Sequence, residues 1–232
     1  ANVDSLLLSG AERADLIVDF SGYEGQTFTV RNNAEFPYVG DNSGPDVESI
    51  GDLLQIEVGT SASEADDTMP LAQFLTAINR KYPDETVTDS GITRTHELAS
   101  GGLELESGVV YDTHFLNLAL WDDGPGGVTP ELGTSEVWEF VNLTGDSHPI
   151  HLHLVDFDVL ERESFTWDID PEAANGYNAA AEAYINDPEN VEKPDFNDYL
   201  TFSGEPVPPK PNNATNKDTV LVNPQEVVRV RP

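Results

Sequence analysis

The run GDSHPIHLHLV places three of the chain's five histidines, His148, His151 and His153, in one short segment. A neutral imidazole nitrogen ligates copper, zinc, iron or nickel, and spacing alone does not choose among them. On a strand, side chains at i and i+2 share a face. His151 and His153 are therefore expected to point one way, with Leu152 and Leu154 in the opposite layer. His148 directly precedes Pro149, which has no N–H for a ladder, so it is expected on the turn entering the strand. It is thereby free to aim at a different site. Three histidines clustered in this way read as metal ligands more readily than as ordinary strand residues.

Other residue types exclude other chemistries. Cysteine is absent, which removes disulfides, thiolate metal sites and cysteine nucleophiles. Serine and histidine occur without a nucleophile elbow, so hydrolase chemistry has no support. His96 and His114 stand alone and Met69 lies in a polar stretch, so all three read as ordinary core or surface residues. The pair Asp122-Asp123 lacks EF-hand spacing and reads as solvated charge, not a Ca²⁺ site. The sequons at Asn142 and Asn213 are of a kind that arises by chance at this length.

The elements that must position the histidines are short and β-prone. ADLIVDF (14–20) and TFTVRNN (27–33) flank the turn-forming SGYEGQ and read as a hairpin, with DLLQIEV (52–58) as a third strand. The small polar residues after it suggest a boundary near residue 60, and LAQFLTAINRKY (71–82) has helical spacing. TRTHELAS, FLNLALW, SEVWEFVN, IHLHLVDFDVLE, DTVLV and EVVRV then follow, with SEVWEFVN and HLHLVDF expected in one sheet. That succession reads as an all-β sandwich or barrel. Between about 165 and 217 lies an insertion with an Ala-rich helical stretch and the extended loop EPVPPKPNN.

At 232 residues and 38% hydrophobic content the chain can bury a real core. Forty-three acidic residues against eleven Lys and Arg give a formal charge of −32, spread along the whole chain. Such a charge repels phosphate backbones and anionic lipids, so nucleic acid is excluded as a partner. Its self-repulsion is best tolerated where salt screens it, which is the composition expected of a halophile. No apolar run is long enough to span a membrane and no signal peptide is evident.

SEVWEFVNLTGDSHPIHLHLVDFDVLER closely resembles the third-domain segment of multicopper oxidases, in the laccase, bilirubin oxidase and spore-coat oxidase branch. GAERADLIVDFSGYEGQTFTVRNNA resembles a second-domain segment, and KDTVLVNPQEVVRV the strand pair after the third domain's variable loop. The resemblance implies an incomplete cupredoxin-like Greek-key β-sandwich. Residues 1–60 would end a second domain, 61–88 would link, and 89–232 would form a third domain lacking its last copper-ligand strand. His148 matches a ligand of the mononuclear (type 1) copper, His151 a type 2 ligand and His153 a type 3 ligand.

The implied parent is an extracytoplasmic oxidoreductase that takes electrons from phenols, aromatic amines or metal ions and reduces O₂ to water. The family's third domain closes with a histidine-cysteine-histidine element that has no counterpart here, nor have the first domain's paired histidines. The resemblance therefore implies a fragment, inactive alone, with empty or partial copper sites, whose partners are the remaining domains of the same polypeptide. Two alternatives stay open: a non-catalytic cupredoxin-like metal-binding module, and a cupin. Gly145, His151 and His153 fit the start of a cupin motif. Asp156 and Asp158 stand where glutamate belongs, and no later histidine exists.

Overall fold

The computed structural model describes residues 6–14, 16–34, 38, 40, 51–60, 69–70, 72–73, 76, 88–105, 107–120, 128–210, 213–214 and 216–232. They form two compact units. One takes in Ala1–Ala14, Pro37–Ser43 and Asp89–Pro232, the other Asp15–Phe36 and Gly44–Thr88.

In the smaller unit β1 (Thr27–Asn32) pairs antiparallel with β2 (Gly51–Glu57). The expected hairpin with residues 14–20 does not form. The chain turns at Phe20 to Tyr23, whose rings pack on Phe28, and Leu16, Ile17 and Val18 are exposed outside any strand. Of the helix expected over 71–82, the described residues Ala72, Gln73 and Thr76 are helical, and the rest lies outside the described residues. Asp122 and Asp123 also lie outside them.

The larger unit is built on a six-stranded sheet. Its strands are β3 (Thr88–Glu104), β4 (Val110–Leu116), β5 (Thr134–Asn142), β7 (Asp158–Trp167), β8 (Leu200–Phe202) and β10 (Glu226–Arg231). They run in the order β4-β3-β5-β10-β7-β8. Neighbouring residues on the inner strands face opposite layers, and both layers are apolar. Ala99, Val141 and Val227 join one core cluster, Leu98, Phe140 and Val228 the other. A strand buried on both faces needs cover on both.

On the first face the cover is α1 (Tyr177–Asn186), through Tyr177 and Ala181. The helix can start there because Gly176 has no Cβ; one would stand 2.3 Å from the Asp170 carbonyl oxygen. On the second face lies a two-stranded sheet of β6 (His148–His151) and β9 (Thr219–Val222). It contributes the fully buried Val220 and Val222, with Ile150 and Leu152 packed beside them. Each such valine contributes about 1.5–3 kcal/mol relative to exposure. β6 is thus glued down by its partner strand.

The all-β sandwich expectation holds, with three local corrections. SEVWEFVN and HLHLVDF occupy different sheets, since the histidine strand pairs only with β9 and ends at His151. His148 is the first residue of that strand, opposite Val222, and not a turn residue. FLNLALW is a strand end and a turn, because Asn117 and Leu118 adopt positive φ and the Asn117 side chain caps the Glu97 N–H at 2.8 Å. The insertion holds the expected helix, α1, and a loop bridged to β7 at Val207, but it also carries β8, which pairs with the end of β7 and extends the sheet.

His96 is a core residue, 3% exposed, stacked on Phe140 and edge-on to Trp138, with neither ring nitrogen hydrogen-bonded. Burial holds its pKa below the ordinary histidine value, the Arg94 charge adds to this, and Glu136, ion-paired to Arg94, opposes it. A histidine depressed in this way contributes stability that is present above its unfolded pKa of about 6.5 and lost as pH falls below it. The melting temperature is therefore expected to drop between about pH 7.5 and pH 5, with a shallower drop in His96→Leu. An unchanged slope in that variant would refute the assignment.

Candidate metal centre

The histidine segment is fixed at both ends by polar contacts. Before β6, the fully buried Asn142 organises the turn: its amide nitrogen donates to the Asp146 carbonyl at 2.7 Å and the Val222 carbonyl at 3.1 Å. Its Oδ1 therefore faces Thr144, accepting from the backbone N–H at 3.0 Å and from the hydroxyl at 2.8 Å. This burial also rules Asn142 out as a glycan acceptor.

Thr144 Oγ1 in turn lies 2.6 Å from His148 Nε2. Its one hydrogen has two oxygens to go to that can only accept, Asn142 Oδ1 at 2.8 Å and the Asp146 carbonyl at 3.1 Å. Nε2–H of His148 is thus the donor, and the lone pair is left on Nδ1.

His151 is held the opposite way round. Its Nδ1 lies 2.9 Å from the Asp218 carbonyl oxygen, which can only accept, and 2.9 Å from Thr219 Oγ1, whose own hydrogen goes to the Asp218 carboxylate at 3.1 Å, so Nδ1 carries the hydrogen and Nε2 the lone pair. The Asp218 carboxylate receives Arg13 Nη1 at 2.8 Å and Nη2 at 2.6 Å, and that pairing holds its pKa down at about 2. Lys217 beside it bonds Glu12 at 2.7 Å. Glu12 and Arg13 belong to the GAERAD run, so that run is what fastens the start of β9 beneath His151.

The imidazoles fall into two pairs. His151 and His153 meet edge to face with ring centroids 4.9 Å apart, although His153 lies past the end of the strand. They line a surface depression of about 500 Å³ with Leu152, Leu154, Val155, Asp156 and Asp218. Leu154 has φ of 71° and is fully exposed, against the expectation that it turns inward. The second pair was hidden in the sequence: His148 stands edge to face with His114 of β4, centroids 5.3 Å apart. His114 is not the lone residue it was taken for. Burial holds His148's pKa low, the nearby His114 adds to this and Asp146 opposes it, which favours the neutral, ligating form.

Among the described residues no three His, Cys, Asp or Glu side chains converge as a complete metal site. Residues 99–232 match the family model described as multicopper oxidase. The chain belongs to the multicopper oxidase family. It is 31% identical to a laccase of Haloferax volcanii over 99% of its length and 30% of that protein's. It is equally 31% identical to a laccase of Bacillus subtilis, over 98% of its own length and 37% of the relative's. A solved McoA multicopper oxidase variant from Aquifex aeolicus superposes with a TM-score of 0.44 and 19% identity, covering 92% of this chain and 35% of that one.

The chain thus spans about a third of the length of these multicopper oxidases. Its β-sandwich is a cupredoxin-like domain of the family, and copper is the cofactor that membership implies. The donors fit a multicopper oxidase: each tethered imidazole has one ring nitrogen held by an oxygen and leaves the other free to ligate. No helix among the described residues is long and apolar enough to cross a membrane.

Proposed function

We propose that this chain is the part of a multicopper oxidase that supplies one ligand to each kind of copper: His148 to type 1, His151 to type 2 and His153 to type 3. Residues 1–60 end the second domain, 61–88 link it onward, and 89–232 form the third, within an extracytoplasmic enzyme adapted to high salt. The observation that carries this reading is the opposed anchoring of neighbouring ligands, Nε2 for His148 and Nδ1 for His151. When bound, copper supplies one-electron oxidation of phenols, aromatic amines or metal ions and reduction of O₂ to water.

The residues of the chain orient and exclude. Asn142 and Thr144 hold the His148 ring; the Asp218 carbonyl, braced by Arg13, holds that of His151. Pro149 and Ile150, between the two ligands in β6, keep them on opposite sides of the strand. Lacking cysteine, the chain alone takes up Cu²⁺ without blue colour and without oxidase activity.

The test has two readouts. Nitrogen-15 NMR of the metal-free chain is expected to show His148 with its hydrogen on Nε2 and His151 with its hydrogen on Nδ1. In the full-length polypeptide, His148→Ala is expected to remove the blue absorption and His151→Ala the type 2 electron paramagnetic resonance signal. Blue colour that survives His148→Ala would overturn the reading.

A further inference from the structure

We infer that His114 and His148 together form a two-imidazole site for a divalent copper ion, with His114 as a nitrogen donor that no sequence motif marks. The inference rests on His148 being a ligand and adds His114 to it. Three observations carry it. First, the rings are 5.3 Å apart at 69°. Two imidazoles that each reach one ion at about 2 Å leave their centroids about 5 Å apart, so the separation suits a shared ion.

Second, the tether at Thr144 occupies Nε2 of His148 and leaves Nδ1 as its free donor. The His114 ring makes no hydrogen bond among the described residues, so both of its nitrogens face no competing partner there. Third, the two rings come from strands that are separately fixed. β4 is held to β3 in register from Leu98↔Leu116 to Glu104↔Val110, with His114 opposite Ser100, and β6 is held to β9. Their approach is therefore set by the fold and not by a flexible tail.

His114 is exposed and His148 half-buried, so an ion has access from solvent. Imidazole-only donors with open positions favour Cu²⁺ over the other first-row divalent ions. The oxygen-rich acidic surface elsewhere offers harder ligands that hold Cu²⁺ less well.

The test uses the full chain carrying His151→Gln and His153→Gln, which silences the other imidazole pair. Copper(II) sulfate is added alone and followed by calorimetry and by the nitrogen hyperfine pattern in electron paramagnetic resonance. One ion bound through two nitrogens is expected. His114→Gln, at an exposed position, should leave one nitrogen and weaken binding by about tenfold or more, and His148→Gln should do the same. If His114→Gln keeps two nitrogens and the parent affinity while His148→Gln loses binding, the inference fails and the assignment of His148 stands. If neither substitution changes binding, both fail.

Discussion

Replacing Arg229 by methionine is expected to lower the free energy of unfolding by about 3–5 kcal/mol at low salt, the cost of leaving partly buried charge without its partner. Arg229 sits on β10 at the middle of the large sheet and bonds three carboxylates at once. Its Nε meets Glu139 on β5 at 2.6 Å, and its Nη1 and Nη2 meet Glu161 and Glu163 on β7 at 2.8 and 2.9 Å. Burial opposes the guanidinium charge, yet the surrounding carboxylates hold its pKa above the ordinary value. Its side chain is 19% exposed and that of Glu163 only 8%, while Glu161 is 39% exposed, so water can replace it at Glu161 but hardly at Glu163. Methionine fills similar space and leaves three like charges on one face.

Screening shortens from about 10 Å at 0.1 M to about 3 Å at 1 M salt, so molar KCl should return part of the loss. Urea unfolding at both salt concentrations measures this. A loss below about 1 kcal/mol at low salt would show that the cluster is only a solvated surface network.

The second large effect is expected at Asn142. Asn142→Ala should cost about 2–4 kcal/mol, because it strands buried carbonyls of Asp146 and Val222 and frees Thr144. Asn142→Asp should not rescue it, since a carboxylate puts a third oxygen where two carbonyls need a donor. The same substitution should mix the two tautomers of His148, which nitrogen-15 NMR reads directly, while His151 stays unchanged. Thr144→Val separates the effects, retaining most of the fold and losing the fixed tautomer. A single His148 tautomer in Asn142→Ala would show that the ring is oriented by packing alone.

How much of this was legible follows the range of each signal. Val227 and Val228 announce a strand covered on both faces, and EVVRV is β10. His151 and His153 were legible as a pair from two-residue spacing, although they meet across a strand end and not along a strand. Ladder partners were not legible, because period-two alternation specifies a face and leaves the neighbour open. That is why ADLIVDF was assigned a hairpin it does not form. His114 was missed because its approach to His148 depends on the β3–β4 register and on where the small sheet seats. Arg13 meets Asp218 across 205 residues, and nothing local to either position announces it.

The two tethers differ in heritability. His151 leans on a main-chain carbonyl, an acceptor that every amino acid at position 218 supplies, with the Thr219 hydroxyl beside it, so no side-chain change at 218 removes the acceptor. His148 leans on the Thr144 hydroxyl, and one base substitution can delete that group. In a diverging lineage the His151 anchor is buffered against mutation. The orientation of His148 is free to drift, and selection can change it without disturbing its neighbour.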